Sequence, residues 1–377
     1  MAVADGSYFY KAAAASPDPM DTDEKARLVA SIGEEILTPP ELKGLFGRKP
    51  HPVAYNGFEP SGRMHIAQGL GYAINVGKLL KAGCKVKILV ADWHAQANGK
   101  LDGDLAKIQT TGRYFIEVWR GCGLDTDGVE FVWASDLVKD PGYWQTVLRI
   151  GTLNSLDRVK RCSQIMGRGD EESLSAAQIL YPLMQAADIF HLGVDICQLG
   201  MDQRKVNVLA REIAPKLGHE KPVVVSHHMI LGLLEPPKGV TDAVARAAAM
   251  KMSKSRPDSA VFMDDPAEEV ERKIKNAYCP AKQATENPIL EYCRYIIFER
   301  MDALTIARPE KYGGDVRFSS YNDLEETFVE GKVHPMDLKS AVTIALNGLL
   351  DPVRQHFANS KMAKELAEEV ASFRVTR

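Results

Sequence analysis

Lys251-Met252-Ser253-Lys254-Ser255 puts two ammonium groups and two hydroxyls in one short run, just before the turn-forming Arg256-Pro257-Asp258. A loop of this composition can lay cations and short hydrogen-bond donors onto a triphosphate. The same residues also suit a solvated surface loop, so the rest of the chain must decide. A second anion-binding candidate is Gly62-Arg63-Met64-His65-Ile66-Ala67-Gln68-Gly69, where a tight turn opens a helix. Free backbone N–H groups at a helix start attract anions, and His65 and Gln68 share one helical face. An isolated His-x-x-Gln is commonly structural. Its place after a strand and a glycine-rich turn, with the lysine loop downstream, favours phosphate binding instead.

Tyr55, His94, Tyr181, Gln185, Asp188 and Gln203 form a third group, at strand ends or on the helix facing them. Tyr181, Gln185 and Asp188 follow an i, i+4, i+7 spacing and share a helical face. A polar stripe of that kind usually faces solvent. This one is embedded in Ala176-Ala177-Gln178-Ile179-Leu180 and Leu183-Met184, which points to a cavity wall.

The elements that must position these residues alternate between short apolar runs and longer amphipathic ones. Val53-Ala54-Tyr55 enters the turn at Gly57-Phe58-Glu59-Pro60-Ser61-Gly62, and a helix is expected over 66–81, stopped by Gly83. Strands are expected at 86–91, 129–134, 194–199 and 223–226, with a helix at 105–121 and helical segments up to about 192. This is the α/β pattern of a doubly wound, mostly parallel sheet, whose ligands bind beyond the strand C-termini. After Asp265 the runs at 268–277, 289–300 and 336–357 read as helices, and strong β-branched runs are absent. The expected organisation is a mobile tail over 1–27 and an α/β domain over 28–240 with a helical insertion near 140–192. A loop at 241–260 carries the lysines, and a mainly α-helical domain covers 261–377.

Composition excludes several classes. With 377 residues, 45% hydrophobic and 26% charged, the chain reads as an ordinary globular protein of two domains. Its net charge of −3 excludes a generally basic nucleic-acid coater but leaves room for a local basic patch. Six scattered cysteines without a Cys-x-x-Cys pair argue against a zinc ribbon or disulfide framework, so no structural metal is expected. No apolar run is long enough to span a bilayer. The N-terminus lacks arginine and carries Asp5, Asp18, Asp21 and Asp23, unlike a transit peptide, which suggests a cytoplasmic protein.

The two phosphate-binding candidates resemble the ATP motifs of class I aminoacyl-tRNA synthetases, with Ala67 standing where the first motif has glycine and Gln68 where it has a second histidine. Longer segments are similar to the tyrosyl-tRNA synthetases of the archaeal and eukaryotic cytosolic type. These are Tyr55-Asn56-Gly57-Phe58-Glu59-Pro60-Ser61-Gly62, Ala91-Asp92-Trp93-His94-Ala95, Tyr181-Pro182-Leu183-Met184-Gln185-Ala186-Ala187-Asp188, Gly200-Met201-Asp202-Gln203-Arg204-Lys205 and His334-Pro335-Met336-Asp337-Leu338-Lys339. The likeness runs from about residue 50 to 355 and implies a Rossmann-like sheet followed by a helical anticodon-binding domain. It also implies a homodimer that activates L-tyrosine with ATP and Mg²⁺ and charges tRNA(Tyr).

By position, the resemblance assigns Tyr55 and Asp188 to the substrate phenol and Tyr181, Gln185 and Gln203 to its ammonium, with His94 in the same pocket. Gly57 and Asp202 would contact the ribose or adenylate. Gly69 and residues Lys251, Met252, Ser253, Lys254 and Ser255 would hold ATP. His65, Gln68, Lys251 and Lys254 would carry the phosphate charge in the reaction. The basic stretch Arg149, Arg158, Lys160, Arg161 and Arg168 would face the tRNA acceptor stem, although a solvated charged face fits it too. Tyr312, His334 and Asp337 would read the anticodon's first base, while Asp337 is equally an ordinary first-turn helix residue. Residues 235–250 depart from the compact family pattern. Pro236-Pro237-Lys238-Gly239 makes a turn, and an Ala-rich, potentially helical segment follows and lengthens the loop.

Overall fold

The computed structural model describes residues 20–166, 173–241 and 243–374. Six strands build one sheet in the order β1-β6-β5-β2-β3-β4: β1 Glu35–Leu37, β2 Val53–Phe58, β3 Lys85–Val90, β4 Val129–Trp133, β5 Ile196–Gly200 and β6 Val223–His227. All neighbours are parallel except β1, which runs antiparallel to β6 along the edge. The winding reverses between β2 and β5. A crevice therefore opens beyond their C-terminal ends, where an open α/β sheet takes its ligand.

Helices cover both faces. In chain order they are α1 Thr22–Ala30, α2 Pro39–Arg48, α3 Tyr72–Lys81, α4 Asp92–Ala97, α5 Leu105–Gly121, α6 Ala134–Leu137, α7 Pro141–Thr152, α8 Leu156–Cys162, α9 Ala176–His191 and α10 Arg204–Leu217. The lysine loop follows α11 Ala243–Met250. The C-terminal part then holds α12 Ala267–Asn276, α13 Pro288–Tyr292, α14 Phe298–Arg300, α15 Tyr321–Val329, α16 Pro335–Asn359 and α17 Lys361–Ser372.

One hydrophobic cluster fills the face between the sheet, α3, α5 and the C-terminal helices, and a second lies under α7, α8, α9 and α10. The C-terminal helices share the first cluster and do not hang from a linker. Tyr114 of α5 packs on Phe357 of α16 with ring centroids 5.6 Å apart, and His356 Nε2 lies 2.7 Å from Glu117 Oε2.

Three sequence expectations need correction. The tail expected over 1–27 does not hold for residues 22–27, because α1 starts at Thr22. Asp21 Oδ1 accepts from the Glu24 N–H at 2.8 Å and Glu24 Oε2 from the Asp21 N–H at 2.9 Å, a reciprocal cap, and Ala26 and Val29 are buried. Residues 1–19 lie outside those described. The helix expected over 66–81 opens with a π turn, Ala67–Gly71, before α3. Gly69 lies so near Met263 that a Cβ there would sit 2.3 Å from its sulfur. The helical C-terminal part also holds an antiparallel hairpin, β7 Leu304–Ile306 with β8 Val316–Phe318. Strands this short carry too little β-branched sequence to be seen, and the same holds for β1.

Asp265 is the junction of these parts. Its Oδ1 accepts from Arg63 Nη2 at 2.9 Å, and its Oδ2 from Lys273 Nζ at 2.6 Å and from the Phe262 N–H at 2.9 Å. Arg354 of α16 donates to its carbonyl at 2.9 Å. The Asp265 and Lys273 side chains are 2% and 1% exposed. Removing one partner therefore strands a buried charge. Asp265→Ala should cost about 3–5 kcal/mol, read as a lower urea midpoint; an unchanged midpoint would contradict this role.

Candidate active site

The crevice at the switch point opens into a cleft of 1230 Å³ lined by Ser61, His65, Gln68, Asp202, His227 and Lys251 through Arg256, among others. Gly62, at φ +115°, turns the chain sharply out of the strand end, a conformation that L side chains rarely adopt. The turn then pairs with the chain leaving the lysine loop. Ile66 N–H donates to Val261 O at 2.8 Å and Met263 N–H to Met64 O at 2.9 Å. The two anion-binding candidates, some two hundred residues apart in sequence, are thus joined by backbone hydrogen bonds.

The lysine loop is folded onto the cleft. Gly232 N–H donates to Met250 O at 2.7 Å and Leu233 N–H to Ser259 O at 2.9 Å, closing the loop at its base. Lys251 Nζ lies 2.9 Å from Asp202 Oδ2, and Lys254 Nζ donates to Ser61 Oγ at 3.0 Å. The Lys254 ammonium also sits 4.8 Å from the centre of the Phe115 ring. Its stem still reaches solvent, but burial of the ammonium, with Lys100 nearby, brings its pKa down to about 7. His65 is pulled to about 3 by burial and by the charge of Lys254, so its ring is neutral. The Gln68 N–H approaches His65 Nδ1 at 3.4 Å, which leaves the ring proton on Nε2 as a donor. Gln68 Oε1 is buried without a hydrogen-bond partner among the described residues.

Behind the cleft lies a cluster of buried polar side chains. The stripe expected on α9 is there: Tyr181, Gln185 and Asp188 are all buried, with Asp188 fully so. Asp188 Oδ1 accepts from Tyr143 Oη at 2.8 Å, and Oδ2 lies 3.0 Å from His94 Nε2 without the alignment of a hydrogen bond. Burial pushes the His94 pKa down, but the carboxylates of Asp188, Glu59 and Asp92 together outweigh it and the net shift is upward. Burial, with Asp188 nearby, raises the Tyr55 phenol well above its ordinary range. Tyr181 Oη donates to Glu59 Oε1 at 2.6 Å, and Gln185 Nε2 to Gln203 Oε1 at 3.1 Å. Gly57 stands beside Tyr55, where a Cβ would come 3.0 Å from the phenol oxygen.

Sequence reasoning missed several residues here. Tyr143 reaches Asp188 from the helical insertion, forty-five residues away, and no local pattern marks it. Glu59 belongs to the segment Tyr55–Gly62, yet its partners Tyr181 and Asn98 come from distant helices. Asn56, Gln198 and His227 form a further network across the strand ends. Asn56 donates to Gln198, whose Nε2 lies 2.7 Å from His227 Nδ1, and burial lowers His227 to about 4.

The residues expected to meet RNA lie elsewhere. Lys160, Arg149 and Arg161 are exposed, but Arg158 Nη2 is already held by Glu212 at 2.8 Å; Arg168 falls outside the described residues. Tyr312 is 62% exposed, and His334 is exposed at the start of α16, where its Nδ1 accepts from the Met336 N–H at 3.2 Å. Asp337 sits in the first turn of that helix. Arg308 Nη1 donates to Lys332 O at 2.7 Å, tying the β7–β8 loop that carries Tyr312 to the segment before His334.

A family profile described as "tRNA synthetases class I (W and Y)" matches residues 48–351. The chain is 49% identical over 360 residues to "Tyrosine--tRNA ligase 1, cytoplasmic" of Arabidopsis thaliana, covering 95% of this chain and 90% of the relative. It superposes on tyrosyl-tRNA synthetase of Pyrococcus horikoshii complexed with L-tyrosine at a TM-score of 0.86 and 42% identity, covering 93% of this chain and 100% of that one. The Leishmania major tyrosyl-tRNA synthetase in complex with tyrosinol also gives 0.86, at 46% identity, covering 95% of this chain but 61% of the Leishmania chain. With the joined turns and the buried acidic cluster behind them, these likenesses are decisive: the chain belongs to the tyrosine–tRNA ligases of the class I tRNA synthetase family.

Proposed function

We propose that L-tyrosine binds among these buried polar side chains and ATP in the cleft in front of them, with the tyrosine carboxylate between the two. The observation that carries this reading is the buried Asp188 carboxylate among the hydroxyls of Tyr143 and Tyr55, behind a closed lysine loop. A phenol gives Asp188 a donor, whereas a phenylalanine side chain would leave these groups unpaired. Gln185 and Gln203, with Tyr181 and Glu59, form the polar end suited to the ammonium, and His94 braces Asp188.

The tyrosine carboxylate is already ionised, so its attack on the α-phosphorus needs no general base. Its oxygen forms the new P–O bond as the bond to the β-phosphate breaks and pyrophosphate leaves. The protein's share is alignment and stabilisation of phosphate charge. His65 offers Nε2–H, and Lys251 and Lys254 swing from Asp202 and Ser61 onto the phosphates. Gln68 supplies a neutral donor, and Mg²⁺ enters with the ATP. Asp202 and Gly57 lie where the ribose would run, and Gly69 with residues 252, 253 and 255 completes the ATP cradle. The terminal ribose hydroxyl of tRNA(Tyr) then attacks the carbonyl and AMP departs. Lys160 with Arg149 and Arg161 offers the acceptor stem a basic face, and Tyr312, His334 and Asp337 offer the anticodon a stacking and hydrogen-bonding surface. A homodimer is supported by Leu148, Leu153, Leu156 and Leu180, which stand exposed on α7 to α9. The cytoplasmic designation of the plant relative, and the lack of a membrane-crossing helix among the described residues, fit a cytoplasmic setting.

Three outcomes follow. Asp188→Ala should lower kcat/KM for tyrosine in pyrophosphate exchange by roughly 10- to 150-fold and erase its preference over phenylalanine; retained preference would refute the phenol assignment. Since Lys254 titrates near 7 in the free protein, raising pH discharges it. The kcat/KM for ATP, which reports free-enzyme ionisations, should therefore fall above that pH. Lys254→Arg, which stays charged, should flatten the decline, and an identical profile in that variant would rule Lys254 out as its source. Leu148→Glu should sediment as a monomer where the unaltered chain sediments as a dimer.

A further inference from the structure

Both limbs of the excursion that leads into the lysine loop are tied to one short stretch of the C-terminal part. On the outgoing limb the Leu231 N–H donates to Glu291 Oε2 at 2.7 Å. On the returning limb Arg246, in α11, forms a fork with Glu286: Nε to Oε1 at 2.7 Å and Nη2 to Oε2 at 2.6 Å. The remaining nitrogen, Nη1, donates to Pro237 O at 2.9 Å, so the same guanidinium also fixes the turn that opens the 235–250 extension. Arg256 Nη2 adds a bond to Ala249 O at 3.0 Å from beyond the lysines.

Glu286 is itself held in an unusual way. Its backbone lies at φ +54°, a left-handed conformation that persists in an ordinary residue where its surroundings demand it. The next residue, Asn287, is buried and caps α13 through the Ile289 and Leu290 N–H groups. The carboxylate thus projects from a fixed helix start and not from a loose loop. Helix α11 runs directly into Lys251, whose neighbour Met250 is gripped by Gly232.

We propose that the Arg246–Glu286 fork is a strap that positions the lysine loop, bringing Lys251 and Lys254 to the ATP phosphates without touching ATP itself. The proposal rests on the reading of that loop as the ATP-phosphate clamp. It gives the 235–250 extension a purpose, since α11 supplies an arginine that can reach the C-terminal part. Both partners are about one-third exposed, so the strap is modest in strength and weakens with salt.

The test is pyrophosphate exchange with the full chain, varying ATP and tyrosine separately, in Arg246→Gln, Glu286→Gln and the exchanged pair Arg246→Glu/Glu286→Arg, with Lys254→Ala alongside. Each single variant should lose about fivefold in kcat/KM for ATP with the KM for tyrosine unmoved. The exchanged pair should recover most of the loss, and added salt should narrow the gap to the unaltered chain. Wild-type kcat/KM for ATP in the single variants, with exchange slowed in Lys254→Ala, would overturn the strap and leave the loop assignment standing. Equal losses toward tyrosine and ATP that the exchanged pair does not repair would mark a general packing role and also overturn it. Undiminished exchange in Lys254→Ala would remove the loop assignment, and the strap with it.

Discussion

Two backbone hydrogen bonds, from Ile66 to Val261 and from Met263 to Met64, join the turn after β2 to the chain leaving the lysine loop. Charge locks that seam. Arg63 grips Asp264 through Nε and Nη2 at 2.7–3.0 Å and reaches Asp265, which in turn holds buried Lys273. The Arg63 guanidinium and the Lys273 ammonium each lie 4.7 Å from the centre of the Phe262 ring. The proposed phosphate site depends on this seam, because it draws its donors from both turns. The C-terminal helices help to set it, since Lys273 comes from α12 and Arg354 from α16.

The two halves of the site use opposite electrostatics. The proposed tyrosine site gathers acceptors, Asp188 and Glu59, to which the buried Tyr143 and Tyr181 already donate. The proposed phosphate side holds its lysines on exchangeable partners: a serine hydroxyl and an aromatic face for Lys254, and a partly exposed aspartate for Lys251. Such partners are easily exchanged for phosphate oxygens. In the proposed site, neutral His65 and Gln68 would add donors without adding repulsion to the lysines.

Much of this was legible in the sequence because it is local. Strands β3, β4 and β6, helix α5 and the i, i+4, i+7 stripe on α9 each declare themselves by their local residue pattern. The lysine run and the His-x-x-Gln turn declare their chemistry by composition. What stayed hidden depends on distance. Tyr143 meets Asp188, Glu59 meets Tyr181, and Arg246 meets Glu286 only after the chain has folded back on itself. Strand β1 and the β7–β8 hairpin are three-residue pairings stabilised by their neighbours and not by propensity. The Asp21–Glu24 cap was readable in principle as an acidic N-terminal box, but the Ala/Ser/Pro-rich composition before it masked the helix start.

If the seam carries the lysines to the first motif, Arg63 and Lys254 act as one unit although they do not touch. The most direct measurement is a double-mutant cycle on kcat/KM for ATP in tyrosine-dependent pyrophosphate exchange, using Arg63→Gln and Lys254→Ala. The account predicts that Lys254→Ala costs much less once Arg63 has been replaced. Fully additive effects would contradict it, because the lysine would then find its place without the seam.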